Sequence, residues 1–123
     1  MASLLTDLDD RGLLDSTIVT VLGEMGRGPI WKDSAYSGPP GRNHWGTTQF
    51  VLVAGGGFKP GMVLGKTDAR AQYVTHDWYS PISFGRTLYH LLGINSDHEL
   101  YTTGGRPVKI IMDDAPLIHE VMA

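Results

Sequence analysis

Cysteine is absent from this 123-residue chain, so disulfide bridges and thiolate metal ligands are excluded and redox compartment is not readable. An excess of positive charge is also missing. Ten Lys and Arg against thirteen Asp and Glu give a net charge of −3, which leaves no basic field for a nucleic acid partner. No apolar run approaches the ~20 residues of a membrane-spanning helix. The N-terminus lacks a basic region followed by an apolar one, so no secretion signal is read in the chain. No serine lies in a Gly-x-Ser-x-Gly setting, which removes support for a hydrolase triad. Gly55-Gly56-Gly57 lacks the Lys-Ser/Thr of a phosphate loop. It reads as a tight turn, with backbone N–H groups approaching an anion as the alternative. Internal repeats and low-complexity segments are not found.

What remains is the composition of one modest domain, residues 1–123, with 41% hydrophobic residues. Sixteen glycines and seven prolines concentrate between positions 23 and 65, which implies long functional or irregular loops. Residues 3–11 read as the end of an amphipathic helix, with Ser3 as cap, Leu4, Leu5 and Leu8 on one face and Gly12 after the last turn. The apolar run Thr17–Leu22 reads as a strand covered on both faces, as in a parallel sheet, and Gln49–Ala54 as its neighbour. Residues 25–48 form a long connection rich in Gly, Pro, Ser and Asn. A helix is expected from Ser80 and Pro81 to Gly93, packed on the sheet through Phe84, Leu88 and Leu91. Pro107–Met112 reads as a short strand or extended arm and Leu117–Met122 as a last helical turn. The alternation of these elements indicates α/β class.

The site is expected in the loop 23–48, because ligands of open α/β sheets lie beyond the carboxyl ends of the strands. Glu24 follows an apolar strand, where a charge needs a partner, a metal or water. It reads either as a metal ligand or acid–base carboxylate, or as the partner of Arg27 in an ion pair that organises the loop. His44 reads as a metal ligand, a general base or a hydrogen-bonded structural histidine. Gly41, Asn43 and Trp45 gather donors and an aromatic wall around it. Arg27 and Arg42 each offer a planar fork that fits a phosphate or sulfate. His76-Asp77 and His98-Glu99 pair imidazoles with carboxylates at what read as surface positions.

The order Gly23-Glu24-Met25-Gly26-Arg27, Gly41-Arg42-Asn43-His44-Trp45, Val51-Leu52-Val53-Ala54-Gly55-Gly56-Gly57-Phe58-Lys59-Pro60-Gly61, then Ile82–Ile94, resembles the C-terminal part of a bacterial sulfatase-like family in the alkaline phosphatase superfamily. The resemblance implies a C-terminal piece of a sulfatase-like sandwich with a mostly parallel sheet flanked by helices. It implies a divalent metal (Zn, Ca, Mg or Mn) held by Glu24 and His44, and a small anionic ester held by Arg27 and Arg42. Glu24-Met25-Gly26 stands where that superfamily commonly has Asp-His-Gly, and Met25 does not replace an imidazole on zinc. The nucleophile and further carboxylates would come from an N-terminal half, the implied partner of this chain. The full-length form would then bind or hydrolyse a phosphate or sulfate ester, with this chain inactive alone and its full-length relatives exported. The rival reading is a non-catalytic binding or scaffold module that keeps the fold without the metal chemistry.

Overall fold

A largely apolar, β-branched run without a helix to follow it needs a strand partner close in the chain. In a computed structural model, which describes residues 1–28, 42, 44–111 and 114–123, β1 (Val19–Leu22) finds it in β4 (Val51–Ala54). The two pair antiparallel, with Val19 opposite Ala54, Thr20 opposite Val53, Val21 opposite Leu52 and Leu22 opposite Val51. Between them β2 (Gly26–Arg27) and β3 (His44–Trp45) also pair antiparallel, Gly26 opposite Trp45 and Arg27 opposite His44. Two further ribbons follow, β5 (Lys66–Thr67) with β6 (Val74–His76) and β7 (Glu99–Tyr101) with β8 (Pro107–Lys109).

The expected α/β sandwich with a mostly parallel sheet is therefore overturned. The sheets are two-stranded and antiparallel, and the described residues form two α-helices, α1 (Ala2–Asp10) and α2 (Pro81–Leu91). The physical reason lies in the connection. A parallel pair needs a crossover, usually a helix, to return the chain to the starting end. Among the described residues between β1 and β4 there is no helix, only the β2–β3 pairing. The chain doubles back on itself, so β4 runs against β1. The apolar run that suggested cover on both faces is instead half uncovered, for Val21, Leu22, Val51 and Leu52 are exposed. No helix among the described residues is long and apolar enough to cross a membrane.

Helix α2 begins at Pro81, and the Ser80 hydroxyl caps it by accepting from the Ser83 N–H at 3.1 Å. Gly93 takes up the left-handed conformation after its end, φ 72°. Its buried residues differ from the expected apolar stripe. Ser83 and Thr87 are the buried positions, Leu88 and Leu91 are half-buried, and Leu92 is exposed. The cause is what lies over them. The Thr87 hydroxyl donates to Ser83 O at 2.8 Å and accepts from the Ile118 N–H at 3.0 Å. Arg86 donates to Ala115 O at 3.1 Å and grips Asp97 with both carboxylate oxygens, at 3.0 and 2.8 Å. The helix thus binds the C-terminal segment, and a small serine–threonine edge lets that backbone approach.

That segment closes the core. Phe58 bridges to Met122, Lys59 N–H donates to Val121 O at 2.8 Å, and Ala123 N–H donates to Gly57 O at 2.8 Å. Phe58, Ala115 and Ile118 are the buried hydrophobic residues. The final helical turn is a 3-10 turn over His119–Val121. At the other end α1 starts at Ala2 without a side-chain cap, so Ser3 does not cap it. Of the strand expected over Pro107–Met112, only Pro107–Lys109 pairs, and Met112 lies outside the described residues. Gly55-Gly56-Gly57 is a turn with all three φ positive, at 69°, 53° and 89°. The Gly56 N–H is used within the chain, donating to Leu14 O at 3.0 Å.

Tyr79 adds an exposed clasp, its hydroxyl donating to Glu120 at 2.9 Å. That hydrogen bond, first among its causes, raises the Tyr79 pKa above the ordinary phenol value, and desolvation and the charges of Glu120 and Asp77 act the same way. The Glu120 carboxyl is held below the ordinary carboxylate range, first by its own backbone N–H and then by Tyr79. A lowered carboxyl stabilises the fold above its ordinary pKa, and the effect is lost as pH falls through the lowered value. A raised phenol stabilises it below the ordinary phenol pKa, and the effect is lost as pH rises through the raised value. The clasp therefore holds across the neutral range and weakens at both ends.

Two outcomes are expected. In an NMR titration of Tyr79→Phe, the Glu120 carboxyl should titrate closer to the ordinary value while staying somewhat below it, because the backbone bond remains. Thr87→Val keeps the shape but leaves the Ile118 N–H without its acceptor. It should destabilise the chain by about 1–3 kcal/mol in urea unfolding, with Thr87→Ser closer to the parent.

Candidate functional site

The β1–β4 and β2–β3 pairings belong to one long hairpin. Between them three residues, 23–25, lie opposite five, 46–50. An unequal interruption of this kind bends the ribbon and re-aims side chains. Here the longer side, Gly46–Phe50, leaves the ribbon and is tied to the loop before β6. Trp45 Nε1 and the Thr47 hydroxyl both donate to Gln72 O at 2.6 Å, and the Thr48 hydroxyl donates to Ala71 O at 3.2 Å. Trp45 and Tyr73 meet edge to face with centroids 6.2 Å apart. Ala71 holds a left-handed φ of 55°, which turns its carbonyl and that of Gln72 toward these donors. The shorter side is fixed by Gln49, whose amide donates to Gly23 O.

Glu24 stands at the centre of the shorter side and reaches across to His44. Its Oε1 lies 3.1 Å from His44 Nε2. Arg27 is directly opposite His44 in the register, and Arg42 is two residues before it; both arginines are exposed. The structure thus brings Glu24 and His44 together, with Arg27 on the neighbouring position. The ion pair imagined between Glu24 and Arg27 is not the contact formed, because the strand turns Arg27 alongside His44 while Glu24 crosses toward it. Gly41 and Asn43 lie outside the described residues.

Electrostatics here are those of a wet site. The Glu24 and His44 side chains are 68% and 60% exposed, so their attraction is screened by water and contributes little to stability. Groups of three or more His, Asp or Glu side chains that could surround a metal do not occur among the described residues. His76 contacts the hydroxyl of its neighbour Thr75 at 3.0 Å, and His98 and Glu99 lie at the β7 ribbon. An apolar cleft of about 510 Å³ opens between the end of α2 and β7–β8, lined by Tyr89, Ile94, Leu100, Tyr101 and Val108 among others. It shares no residue with the Glu24–His44 pair.

Gln49, Gln72 and Tyr73 were not apparent as site residues from the sequence. Their roles rest on carbonyl positions and on the unequal interruption, and no spacing in the sequence encodes either. The one available signal was Gly46-Thr47-Thr48, a glycine followed by two hydroxyl donors after the aromatic Trp45.

Compared with known families, residues 1–122 match the family described as protein of unknown function (DUF1501), and the chain belongs to it. This overturns the resemblance to sulfatase-like proteins, for no sulfatase or alkaline phosphatase family matches. No curated protein and no solved structure matches the chain.

Gly26 is the position on which the pair depends. A Cβ there would collide with the Thr48 carbonyl oxygen and press on Trp45 O, both rigid backbone. Gly26→Ala should open the β2–β3 pairing and separate Glu24 from His44. The expected sign is loss of the cross-strand NOEs between Arg27 and His44 with those between β1 and β4 retained.

Proposed function

We propose that this member of the DUF1501 family uses Glu24 and His44 to hold a divalent cation, with Arg27 and Arg42 receiving the oxygens of a phosphate or sulfate ester. The observation that carries the reading is the 3.1 Å between Glu24 Oε1 and His44 Nε2. Two ligands each ~2.0–2.2 Å from one ion, at the angles of tetrahedral or octahedral coordination, lie about 3 Å apart. The pair accepts an ion with small side-chain movements. A carboxylate with an imidazole suits Zn²⁺ or Mn²⁺ better than Ca²⁺ or Mg²⁺, which favour all-oxygen shells. A bound ion would supply positive charge that draws an anionic ester, and water and ester oxygens would complete its shell. Arg27, opposite His44, adds fixed charge and two donors on the same side of the hairpin.

The reading is binding rather than turnover. Ester hydrolysis needs an activated nucleophile beside the ion, and no residue of this chain is assigned that role. A second reading is a non-catalytic scaffold that binds no ion, in which the Glu24–His44 contact is an exposed, water-screened pair of little energetic weight.

Calorimetric titration with Zn²⁺ or Mn²⁺ separates the two. On the first reading the ion binds, and Glu24→Ala and His44→Ala each weaken it by about tenfold or more, 1.4 kcal/mol. Aryl phosphate or aryl sulfate then binds only to the metal-loaded chain, less tightly in Arg27→Ala, and is not turned over. Equal, weak uptake by the parent and both variants would leave the scaffold reading standing.

A further inference from the structure

The turn between β5 and β6 is closed by one residue, Asp68, which is half-buried. Its N–H donates to Tyr73 O at 3.0 Å, its carbonyl accepts from the Ala71 N–H at 3.0 Å, and its carboxylate accepts from the Gln72 N–H at 2.7 Å. Thr102 closes the turn between β7 and β8 in the same way. Its N–H donates to Arg106 O at 3.0 Å, its carbonyl accepts from the Gly105 N–H at 2.9 Å, and its hydroxyl accepts from the Arg106 N–H at 3.1 Å. The two turns differ at the left-handed position. Gly105 adopts it freely at φ 76°, whereas Ala71 holds φ 55° with a Cβ that disfavours it. A residue strained in this way persists where its surroundings over-determine it, and such residues cluster at functional sites.

The strained turn is the one that holds β3. Its Ala71 carbonyl receives Thr48, and its Gln72 carbonyl receives both Trp45 and Thr47, one donor for each lone pair. A pairing of only two residues, such as β2 with β3, has little stability of its own. Successive residues of a strand point to opposite faces, so seating Trp45 on the turn directs His44 to the other face. There Glu24 reaches it at 3.1 Å.

We infer that Asp68 is a positioning residue of the Glu24–His44 site, acting through the Ala71 and Gln72 carbonyls and Trp45. Its effect on ion binding rests on the cation reading proposed above, while its effect on the placement of His44 does not. Asp68→Ala leaves the Gln72 N–H without its acceptor. Asp68→Asn keeps an acceptor without the charge, and Thr102→Ala breaks the equivalent bond in the other turn. In NMR of the metal-free chain, Asp68→Ala should lose the Arg27–His44 NOEs and speed exchange of the Trp45 indole proton. The β1–β4 and β7–β8 NOEs should persist, and Asp68→Asn and Thr102→Ala should match the parent. Zn²⁺ binding should weaken about tenfold in Asp68→Ala, as on loss of a group that orients a metal ligand, and by less than about twofold in the other two. Trp45→Phe, which removes the indole donor and leaves Asp68 in place, should also weaken the Arg27–His44 NOEs.

Unchanged Arg27–His44 NOEs in Asp68→Ala overturn the inference, and in Trp45→Phe they overturn the route through the indole. An Asn variant as impaired as the Ala variant overturns it too, because the charge and not the acceptor would then matter. So does loss of the β1–β4 NOEs in Asp68→Ala, since the residue would then hold the whole fold. A parent chain that takes up no Zn²⁺ defeats the cation reading alone, and the NOEs still decide whether Asp68 places His44.

Discussion

The antiparallel register of β1 on β4 is the constraint on which the rest depends. Setting Leu22 opposite Val51 fixes both ends of the long connection within one strand spacing. Everything between must then leave and return at the same place, so β2 and β3 pair as a continuation of the same hairpin. The mismatch of three residues against five has to be absorbed locally. The longer side is absorbed by anchoring Trp45, Thr47 and Thr48 on the carbonyls of residues 71 and 72. The shorter side is left with Glu24 projecting across the gap. Glu24 meets His44 because of that mismatch, not because either residue has a buried charge to satisfy.

A site made in this way is closely packed in its backbone at Gly26 and wet in its side chains. Gly26 admits no side chain against Thr48, so the two strands are held close. The Glu24 and His44 groups nevertheless stay hydrated, and their mutual attraction is too screened to justify them as structural elements. Hydrated groups also keep a low desolvation cost for an incoming ion. That combination of closely packed backbone and solvated donors is the physical basis for reading a ligand site here.

The other end of the molecule is organised by backbone polarity more than by apolar volume. The buried positions include Ser83, Thr87 and Ser96 alongside Phe58, Ala115 and Ile118. The Thr87 hydroxyl satisfies one donor and one acceptor at zero exposure, which joins α2 to the C-terminal segment. A core this small leaves much apolar surface outside it, and the ribbon end carries a large share. The two facts have one cause: residues that are apolar in sequence have too few layers to lie between.

Local chemistry, legible in the sequence, determined α2, because a Ser-Pro start and a glycine stop act within one turn whatever surrounds them. It also determined that the two apolar runs are strands and neighbours, since β-branched residues favour extended backbone and both lacked another partner of that length. Strand direction was not legible. Val-Ile-Leu runs look the same in a parallel core and in an uncovered ribbon, and only the path of the connection distinguishes them. The buried face of α2 escaped for a similar reason, since Ser83 and Thr87 are buried by the approach of a backbone far along the chain. Glu24 and His44 could be nominated from residue type, while their 3.1 Å contact was decided by the tertiary structure. The contact depends on two residues' difference in length between the sides of a hairpin, and that length has meaning only once the register is set.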